Sequence, residues 1–248
     1  MTSQEQPRQR RPAEANRRSS QGTEGRGNAQ EEANTSRVPI DAESDSGGFS
    51  ALGLSATTLQ AVDRAGYTQP TPVQSGVIPR AIAGVDVLGQ AQTGTGKTAS
   101  FVLPILELLT QSPGRGHGVR ALVLVPTREL AVQVRDEFEK LASGSKLRCV
   151  AVYGRKPIKA QIDKLAKNPE VVVGTPGRVL DHMSRGTLVL GTLELAILDE
   201  ADRMLDIGFR PDIEKILRRC PQSRQTLLLS ATVPPPVAKL ATRYMRDP

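Results

Sequence analysis

The sequence has no tryptophan, and only two of its 248 residues are cysteine. A disulfide framework or a zinc site needs more cysteines at closer spacings, so the separated Cys149 and Cys220 argue against both and favour a reducing, cytoplasmic setting. No apolar run approaches the roughly 18 residues of a membrane span, and the N-terminus lacks the apolar segment of a secretory signal. The composition therefore predicts a soluble protein with an aliphatic core.

The net charge of +7 is unevenly distributed along the chain. Residues 1–48 carry seven Arg against eight acidic residues, a net of −1, so the other 200 residues carry 26 basic against 18 acidic groups, a net of +8. Excess Lys and Arg on a folded surface attracts polyanions such as nucleic acids. Residues 1–48 also lack an apolar period, and their polar composition predicts a disordered tail.

From Phe49 onward, short apolar runs alternate with longer amphipathic stretches such as 128–141 and 211–219. The runs are continuous, as in strands that are covered on both faces of a parallel sheet, whereas the stretches have a helical period. Residues 49–248 are therefore predicted to form an α/β domain, with a mostly parallel sheet and helices on both faces. The predicted strands are residues 85–88, 121–125, 149–153, 171–173, 195–198 and 226–229.

A glycine-rich segment lies between the first predicted strand and a helical pattern. Its residues are Ala91, Gln92, Thr93, Gly94, Thr95, Gly96, Lys97 and Thr98. In a P-loop the glycines let successive N–H groups cradle phosphate oxygens at a helix N-terminus. Lys97 would then reach the β and γ phosphates of ATP, and the Thr98 hydroxyl would bind Mg²⁺. Ala91 stands where the strict pattern has Gly, which is a modest departure if the backbone needs no positive φ there.

An acidic segment, Asp199-Glu200-Ala201-Asp202, directly follows the predicted strand 195–198. A carboxylate at the end of a buried strand beside a P-loop is well placed to bind Mg²⁺ through water, and Asp199 is predicted to do so. Glu200 can orient or deprotonate the water that attacks the γ-phosphate. An isolated acidic turn would more often be a solvated surface feature, but the upstream P-loop favours the catalytic interpretation.

With both motifs in order, residues 49–248 resemble the DEAD-box RNA helicases, a family named for the sequence at 199–202. The resemblance implies a RecA-like P-loop domain that uses ATP and Mg²⁺ and binds RNA. Residues 66–74 resemble the adenine-reading segment of the family, which includes Gln69 and Gln74.

The side chain of Gln74 offers a donor and an acceptor that match the N6 and N7 edge of adenine. Thr71 and Pro72 suit an N-cap and a first helical residue, which would place Gln74 in the first turn of a helix. The resemblance also implies that Phe49 stacks on the base.

Further matches follow the ends of other predicted strands, where ligands bind in open α/β sheets. The resemblance implies that these segments hold the RNA sugar–phosphate backbone without reading its sequence. They consist of Pro126, Thr127 and Arg128, and of Thr175, Pro176, Gly177 and Arg178.

Two more segments carry implied roles. Ser230 and Thr232 resemble the coupling motif of the family, which implies hydrogen bonds to Asp202 that link the ATP site to RNA movement. The family usually has a Gly-Gly pair where this chain has Gly154 and Arg155. Arg155 either adds a phosphate contact or blocks the close backbone approach that a second glycine allows.

No part of the sequence resembles the second RecA-like domain of the family, which carries arginine fingers worth roughly 10³–10⁵ in turnover. This chain alone is therefore predicted to bind ATP weakly, to hydrolyse it barely and not to unwind RNA, unless a second domain is supplied in cis or in trans. A catalytically idle P-loop module that binds RNA or protein is the alternative, and the intact Lys97, Thr98, Asp199 and Glu200 disfavour it. A P-loop kinase or transporter ATPase is disfavoured because neither requires Gln74. His117 and His182 are predicted to be ordinary surface groups.

Overall fold

The computed structural model describes residues 47–92, 94–112 and 118–248. Residues 1–46, which hold nearly all of the predicted disordered tail, lie outside the described residues, as do Thr93 and His117. A short 3₁₀ helix covers Phe49–Leu52. The helices are α1 (Ala56–Arg64), α2 (Pro72–Ile82), α3 (Lys97–Gln111), α4 (Arg128–Leu141), α5 (Ile158–Leu165), α6 (Pro176–Ser184), α7 (Ala201–Asp206), α8 (Arg210–Leu217) and α9 (Pro235–Tyr244). The strands are β1 (Val87–Gln90), β2 (Ala121–Leu124), β3 (Cys149–Val152), β4 (Val171–Gly174), β5 (Leu195–Leu198) and β6 (Gln225–Ser230).

The six strands form one parallel sheet in the order β1-β6-β5-β2-β4-β3. Two apolar clusters cover its two faces. Alternate residues of β2 enter different clusters: Ala121 and Val123 lie in one, and Leu122 and Leu124 lie in the other. The predicted α/β fold with a parallel sheet and helices on both faces is confirmed, and the continuous apolar runs follow from burial on both faces.

The first strand begins later than predicted, at Val87 instead of residue 85. The buried carboxylate of Asp86 accepts hydrogen bonds from the N–H groups of Thr226 (2.8 Å) and Arg246 (2.7 Å), so a side chain holds the chain just before the strand. The strand then continues through Gly89, where an added Cβ would lie 2.6 Å from Leu229 Cδ2. The glycine leaves room for the Leu229 side chain beside β1, which the sequence pattern did not indicate.

The helix Arg128–Leu141 has its predicted bounds, and the N–H of Leu130 donates to the Thr127 side chain at its start (3.2 Å). The predicted helix 211–219 is shifted slightly and spans Arg210–Leu217. Cys149 and Cys220 are free and buried, and burial raises the pKa of both thiols, as expected for inert structural cysteines. In the described part of the chain, no helix is both long and apolar enough to cross a membrane.

A substitution at Gly174, which ends β4, tests the packing beside the predicted RNA segment. An added Cβ would lie 2.6 Å from Val179 Cγ2 and 2.9 Å from the backbone oxygen of Val152. Gly174→Ala is therefore expected to lower the free energy of unfolding by about 1–3 kcal/mol, measured by chemical denaturation. Gly191→Ala is the matched control, because its Cβ would meet nothing within 4 Å. Equal stability of the two variants would contradict this account of the packing.

Candidate nucleotide site and nucleic-acid interface

The glycine-rich segment connects β1 to α3 in the manner of a P-loop. Gly94 and Gly96 both have φ of +82°, a left-handed conformation that glycine adopts at little cost. Ala91 is not among the residues with positive φ, so the departure from glycine at this position causes no backbone strain. The N–H of Ala91 donates to the carbonyl of Ser230 (2.9 Å), which attaches the start of the segment to the end of β6.

Lys97 begins α3 and is 5% exposed. Its Nζ is buried and has no hydrogen-bond partner within the described residues. Thr71 Oγ1, which lies close to Gly96, is likewise buried without a partner. Burying an unpaired ammonium costs free energy that a bound anion would offset. An orphaned cation beside a glycine-rich helix N-terminus fits the phosphates of a nucleotide.

Asp199 follows β5 and is 3% exposed. Burial is the main cause that raises the pKa of its carboxyl to about 6; the Lys97 charge opposes this rise, and Glu200 adds to it. Asp199 Oδ1 accepts the N–H of Glu200 (2.9 Å), which fixes the carboxylate at the strand end. The described residues contain no cluster of three or more His, Cys, Asp or Glu that could hold a metal ion. The single buried carboxylate of Asp199, at the end of β5, fits Mg²⁺ held largely through water.

Glu200 has an unusual backbone conformation. Its φ of 52° and ψ of 50° lie in the left-handed region, which costs a residue with a side chain about 1–2 kcal/mol. Glu200 Oε2 forms an ion pair with Arg203 Nη1 at 3.1 Å. No sequence motif indicated a role for Arg203, although it lies three residues after Glu200, which caps α7, and this is the spacing of such a pair.

Asp202 lies at the start of α7 and contacts the segment after β6. Its Oδ2 accepts hydrogen bonds from the N–H (2.9 Å) and the hydroxyl (2.8 Å) of Thr232. Its own N–H donates to Ser230 Oγ (3.1 Å). These hydrogen bonds hold the pKa of Asp202 below its usual range despite the opposing effect of partial burial. Since the Ser230 carbonyl also accepts the N–H of Ala91, the end of β6 contacts both the P-loop and the acidic segment.

The predicted adenine-reading residues lie in different surroundings. Gln74 is 1% exposed; its Oε1 accepts the N–H of Thr71 (2.9 Å), and its Nε2 donates to the carbonyl of Gly96 (3.1 Å). The side chain therefore connects the first turn of α2 to the P-loop. Phe49 is buried, with its ring edge-to-face against Tyr67 at 6.0 Å between centroids, whereas Gln69 is exposed. Stacking of Phe49 on a base remains a prediction.

The predicted RNA segments lie at the carboxyl ends of neighbouring strands, β2 and β4. Pro126 and Pro176 are buried, whereas Arg128 and Gly177 are exposed. The Arg128 guanidinium pairs with Glu129. The sheet order thus brings both segments to one edge of the domain, where their exposed groups can contact a ligand together.

Arg155 occupies the left-handed region with φ of 60° and is exposed. Gly154 is not among the glycines with positive φ, and a Cβ added there would meet nothing within 4 Å. Only the second position of this pair therefore has the backbone conformation that favours glycine. The Arg178 guanidinium donates to the carbonyl of Lys156 (3.2 Å), which joins the loop after β3 to the start of α6. Arg155 and the 175–178 segment therefore lie on connected parts of the surface.

The prediction that His182 is an ordinary surface group is wrong, because its side chain is buried. Its Nδ1 lies 2.9 Å from Thr187 Oγ1, and its Nε2 lies 3.3 Å from Gln161 Oε1. The Gln161 amide bonds the backbone N–H (3.2 Å) and carbonyl (3.1 Å) of Tyr153. This buried network joins α5, α6 and the loop that carries Arg155. Neither its partners nor its burial could be read from the periodicity of α6.

The fold and the site together define a P-loop α/β domain of the RecA type. A model of the DEAD/DEAH box helicase family matches residues 71–240. The ATP-dependent RNA helicase CshA of Listeria monocytogenes is 49% identical over 200 residues, which are 81% of this chain and 38% of that protein. The DEAD-box ATP-dependent RNA helicase CshA of Geobacillus kaustophilus is 48% identical, over 81% of this chain and 42% of that protein.

A solved structure is also similar to this chain. It is a DEAD box protein from the hyperthermophile Methanococcus jannaschii, with a TM-score of 0.76 and 46% identity over 81% of this chain and 54% of that one. The chain belongs to the DEAD/DEAH box helicase family. It spans about two fifths of the length of these two curated relatives.

The buried His182 generates a pH prediction. Burial and the Arg178 charge lower its pKa, Asp181 opposes this, and Arg185 adds to it. The unfolded chain therefore takes up the proton at a higher pH than the folded chain, so stability falls as the pH drops below the ordinary histidine pKa. His182→Gln removes this contribution, and its deficit in unfolding free energy relative to the wild type is expected to shrink on acidification. Chemical denaturation of both proteins across pH 5–8 measures this deficit. A deficit that stays constant with pH would contradict the prediction.

Proposed function

We propose that this chain is the ATP-binding half of an ATP-dependent RNA helicase. The observation that carries the proposal is the buried Lys97 ammonium, which has no partner among the described residues and lies at a P-loop whose glycines adopt the left-handed conformation. Membership of the DEAD/DEAH box helicase family supports it. The alternative, an idle P-loop module for RNA or protein, keeps the same fold but requires no catalytic carboxylate.

ATP and Mg²⁺ would be held by the segment from Ala91 to Thr98. Lys97 would contact the β and γ phosphates, while Thr98 and Asp199 would hold Mg²⁺, largely through water. A bound Mg²⁺ would neutralise negative charge on the phosphate oxygens. Glu200 would orient or deprotonate the attacking water, and for this its carboxylate must separate from Arg203, with which it now pairs at 3.1 Å.

RNA would bind across the carboxyl ends of the strands. The accessible groups of the segments 126–128 and 175–178, together with Gly154 and Arg155, would contact the sugar–phosphate backbone with little sequence preference. Support comes from the sheet order, which makes β2 and β4 neighbours, and from the bond between Arg178 and the loop after β3. The Asp202–Thr232 bonds would transmit changes at the ATP site toward this surface.

We infer that a second RecA-like domain, in cis or in trans, completes the hydrolytic site. The chain covers 38% and 42% of two related RNA helicases, so their whole activity exceeds what this domain accounts for. An arginine finger from such a domain typically contributes roughly 10³–10⁵ in turnover. By itself the chain would bind ATP weakly and not unwind RNA. Its two free cysteines favour the cytoplasm as its location.

RNA-stimulated ATPase activity tests the proposed function. The chain alone is expected to turn over ATP roughly 10³–10⁵ times more slowly than the chain joined to a second domain of the family, because the arginine finger is missing. In the joined protein, Glu200→Gln should lower turnover by about 10²–10⁴ while ATP still binds, since the catalytic carboxylate is lost.

Asp206→Asn is the matched control, because Asp206 is an exposed carboxylate on α7, the short helix that Glu200 caps. Its turnover should equal that of the unchanged joined protein. Robust unwinding by the chain alone would contradict the need for a second domain. A joined protein that binds nucleotide but hydrolyses none would favour the idle binding module.

A further inference from the structure

The basic charge of the domain is concentrated in one segment. Residues 146–167 contain seven Lys and Arg against a single acidic residue, Asp163, a net of +6. Residues 49–248 as a whole carry a net of only +8. We call the seven side chains the basic edge: Lys146, Arg148, Arg155, Lys156, Lys159, Lys164 and Lys167.

The charges of the basic edge are available to a ligand. All seven residues are exposed, and none of the five lysines has a carboxylate within 4 Å in the described part of the chain. Among the seven residues, Arg148 alone forms an ion pair in the described chain: it pairs with Glu170 at 3.9 Å, and it also donates to the carbonyl of Asn168 (3.1 Å). A surface with only a structural role usually mixes both signs of charge, whereas this one is almost entirely positive.

The basic edge follows the outer border of the sheet. β3 is the last strand in the sheet order, and α5 packs against it and runs back along it. Arg148, Lys164 and Lys167 line one open cavity of about 270 Å³, together with Glu139, near the start of β3. Arg155 lies at the other end, beyond the carboxyl end of β3. The α5 helix between the two ends is roughly 12 Å long at 1.5 Å per residue.

The end of the basic edge that holds Arg155 and Lys156 adjoins the predicted RNA interface. Arg155 belongs to that interface, and the Lys156 carbonyl accepts a hydrogen bond from Arg178 (3.2 Å). A strand of RNA held at the carboxyl ends of β3 and β4 can therefore continue along the border of the sheet, where Asp163 is the single acidic residue of 146–167. Flexible lysines suit this kind of contact, because they neutralise phosphates as point charges.

The composition of the basic edge distinguishes RNA from a protein partner. Protein interfaces are depleted in Lys and have an apolar core. The exposed large hydrophobic residues of the described chain are Val85, Val189 and Ile207, and none lies in residues 146–167. A surface of five lysines with no exposed apolar centre fits a polyphosphate backbone.

We propose that the basic edge is a second RNA-backbone contact, which holds RNA that extends past the strand-end segments. The inference rests on the proposed function, since it requires RNA at 175–178 and Arg155. It adds a contact of low sequence preference on the side of the domain that β3 and α5 form. Longer RNAs then bind more tightly than short ones through charge alone, with a larger salt dependence.

The test compares two triple variants of the whole chain. The edge variant carries Lys146→Gln, Lys164→Gln and Lys167→Gln, which lie away from the predicted interface. The control carries Lys215→Gln, Arg219→Gln and Lys239→Gln, three exposed groups with no ion pair among the described residues. Both variants lose three positive charges, so a difference between them in RNA binding depends on where the charges lie. Thermal unfolding establishes that both are folded, and anisotropy measures binding of short and long oligouridylate across a salt series.

On long RNA, the edge variant is expected to lose about 2 units from the slope of log affinity against log salt, at about 0.7 for each of three phosphate contacts. On RNA too short to reach the basic edge, the affinity of the edge variant and its salt dependence should equal those of the wild type. The control should match the wild type on both RNAs. Equal behaviour of the two variants on long RNA would overturn the inference alone, because the wild type still binds.

Two other outcomes separate the inference from the proposed function. Failure of the wild type to bind any RNA, with or without nucleotide, would overturn the proposed function and the inference together. Polyglutamate serves as a probe for acidic protein partners. Unchanged RNA binding by the edge variant, combined with loss of polyglutamate binding, would assign the surface to an acidic protein instead.

Discussion

The buried charge of Lys97 is the constraint on which the candidate site depends. Its ammonium has no hydrogen-bond partner in the described chain. The Asp199 carboxyl, whose pKa is raised to about 6, is mostly ionised at neutral pH, but among the described residues it forms no ion pair with Lys97 within 4 Å. Burial of an ammonium without hydrogen bonds costs free energy, which the rest of the domain must offset. The helix behind Lys97 is buried along most of its length and packs into the larger apolar cluster. A rigid support thus holds a charge whose natural partner is an anionic ligand.

The parallel sheet turns this local site into a connected one. Because every strand ends on the same side, the P-loop after β1, the acidic segment after β5 and the end of β6 meet there. Ser230 joins them: its carbonyl accepts the N–H of Ala91, and its hydroxyl accepts the N–H of Asp202. On the other half of the sheet, the Gln161–His182 network and the Arg178–Lys156 bond fix the loop after β3 to α6. The proposed nucleotide and RNA surfaces are therefore built on one sheet.

The sequence was sufficient for the fold class, since continuous apolar runs and helical periods are direct consequences of burial on both sheet faces. It was also sufficient for the P-loop glycines, whose φ of +82° only glycine adopts readily. It failed where a contact joins residues far apart in the chain. The Asp86 bonds that delay β1 and the burial of His182 depend on partners that no local pattern identifies. Phe49 shows the same limit, because its burial against Tyr67 is a tertiary property.

Thermal unfolding of the wild type and Lys97→Met, with and without ATP and Mg²⁺, tests the central claim most directly. Methionine keeps the length of the side chain but removes the buried charge, and Lys215→Met controls for the substitution at an exposed position. Without nucleotide, Lys97→Met should be at least as stable as the wild type. With nucleotide, only the wild type and the control should be stabilised, by about 2.7 kcal/mol at a hundredfold excess over the dissociation constant. A Lys97→Met protein that is less stable without nucleotide, or that gains the same stabilisation from it, would contradict the account.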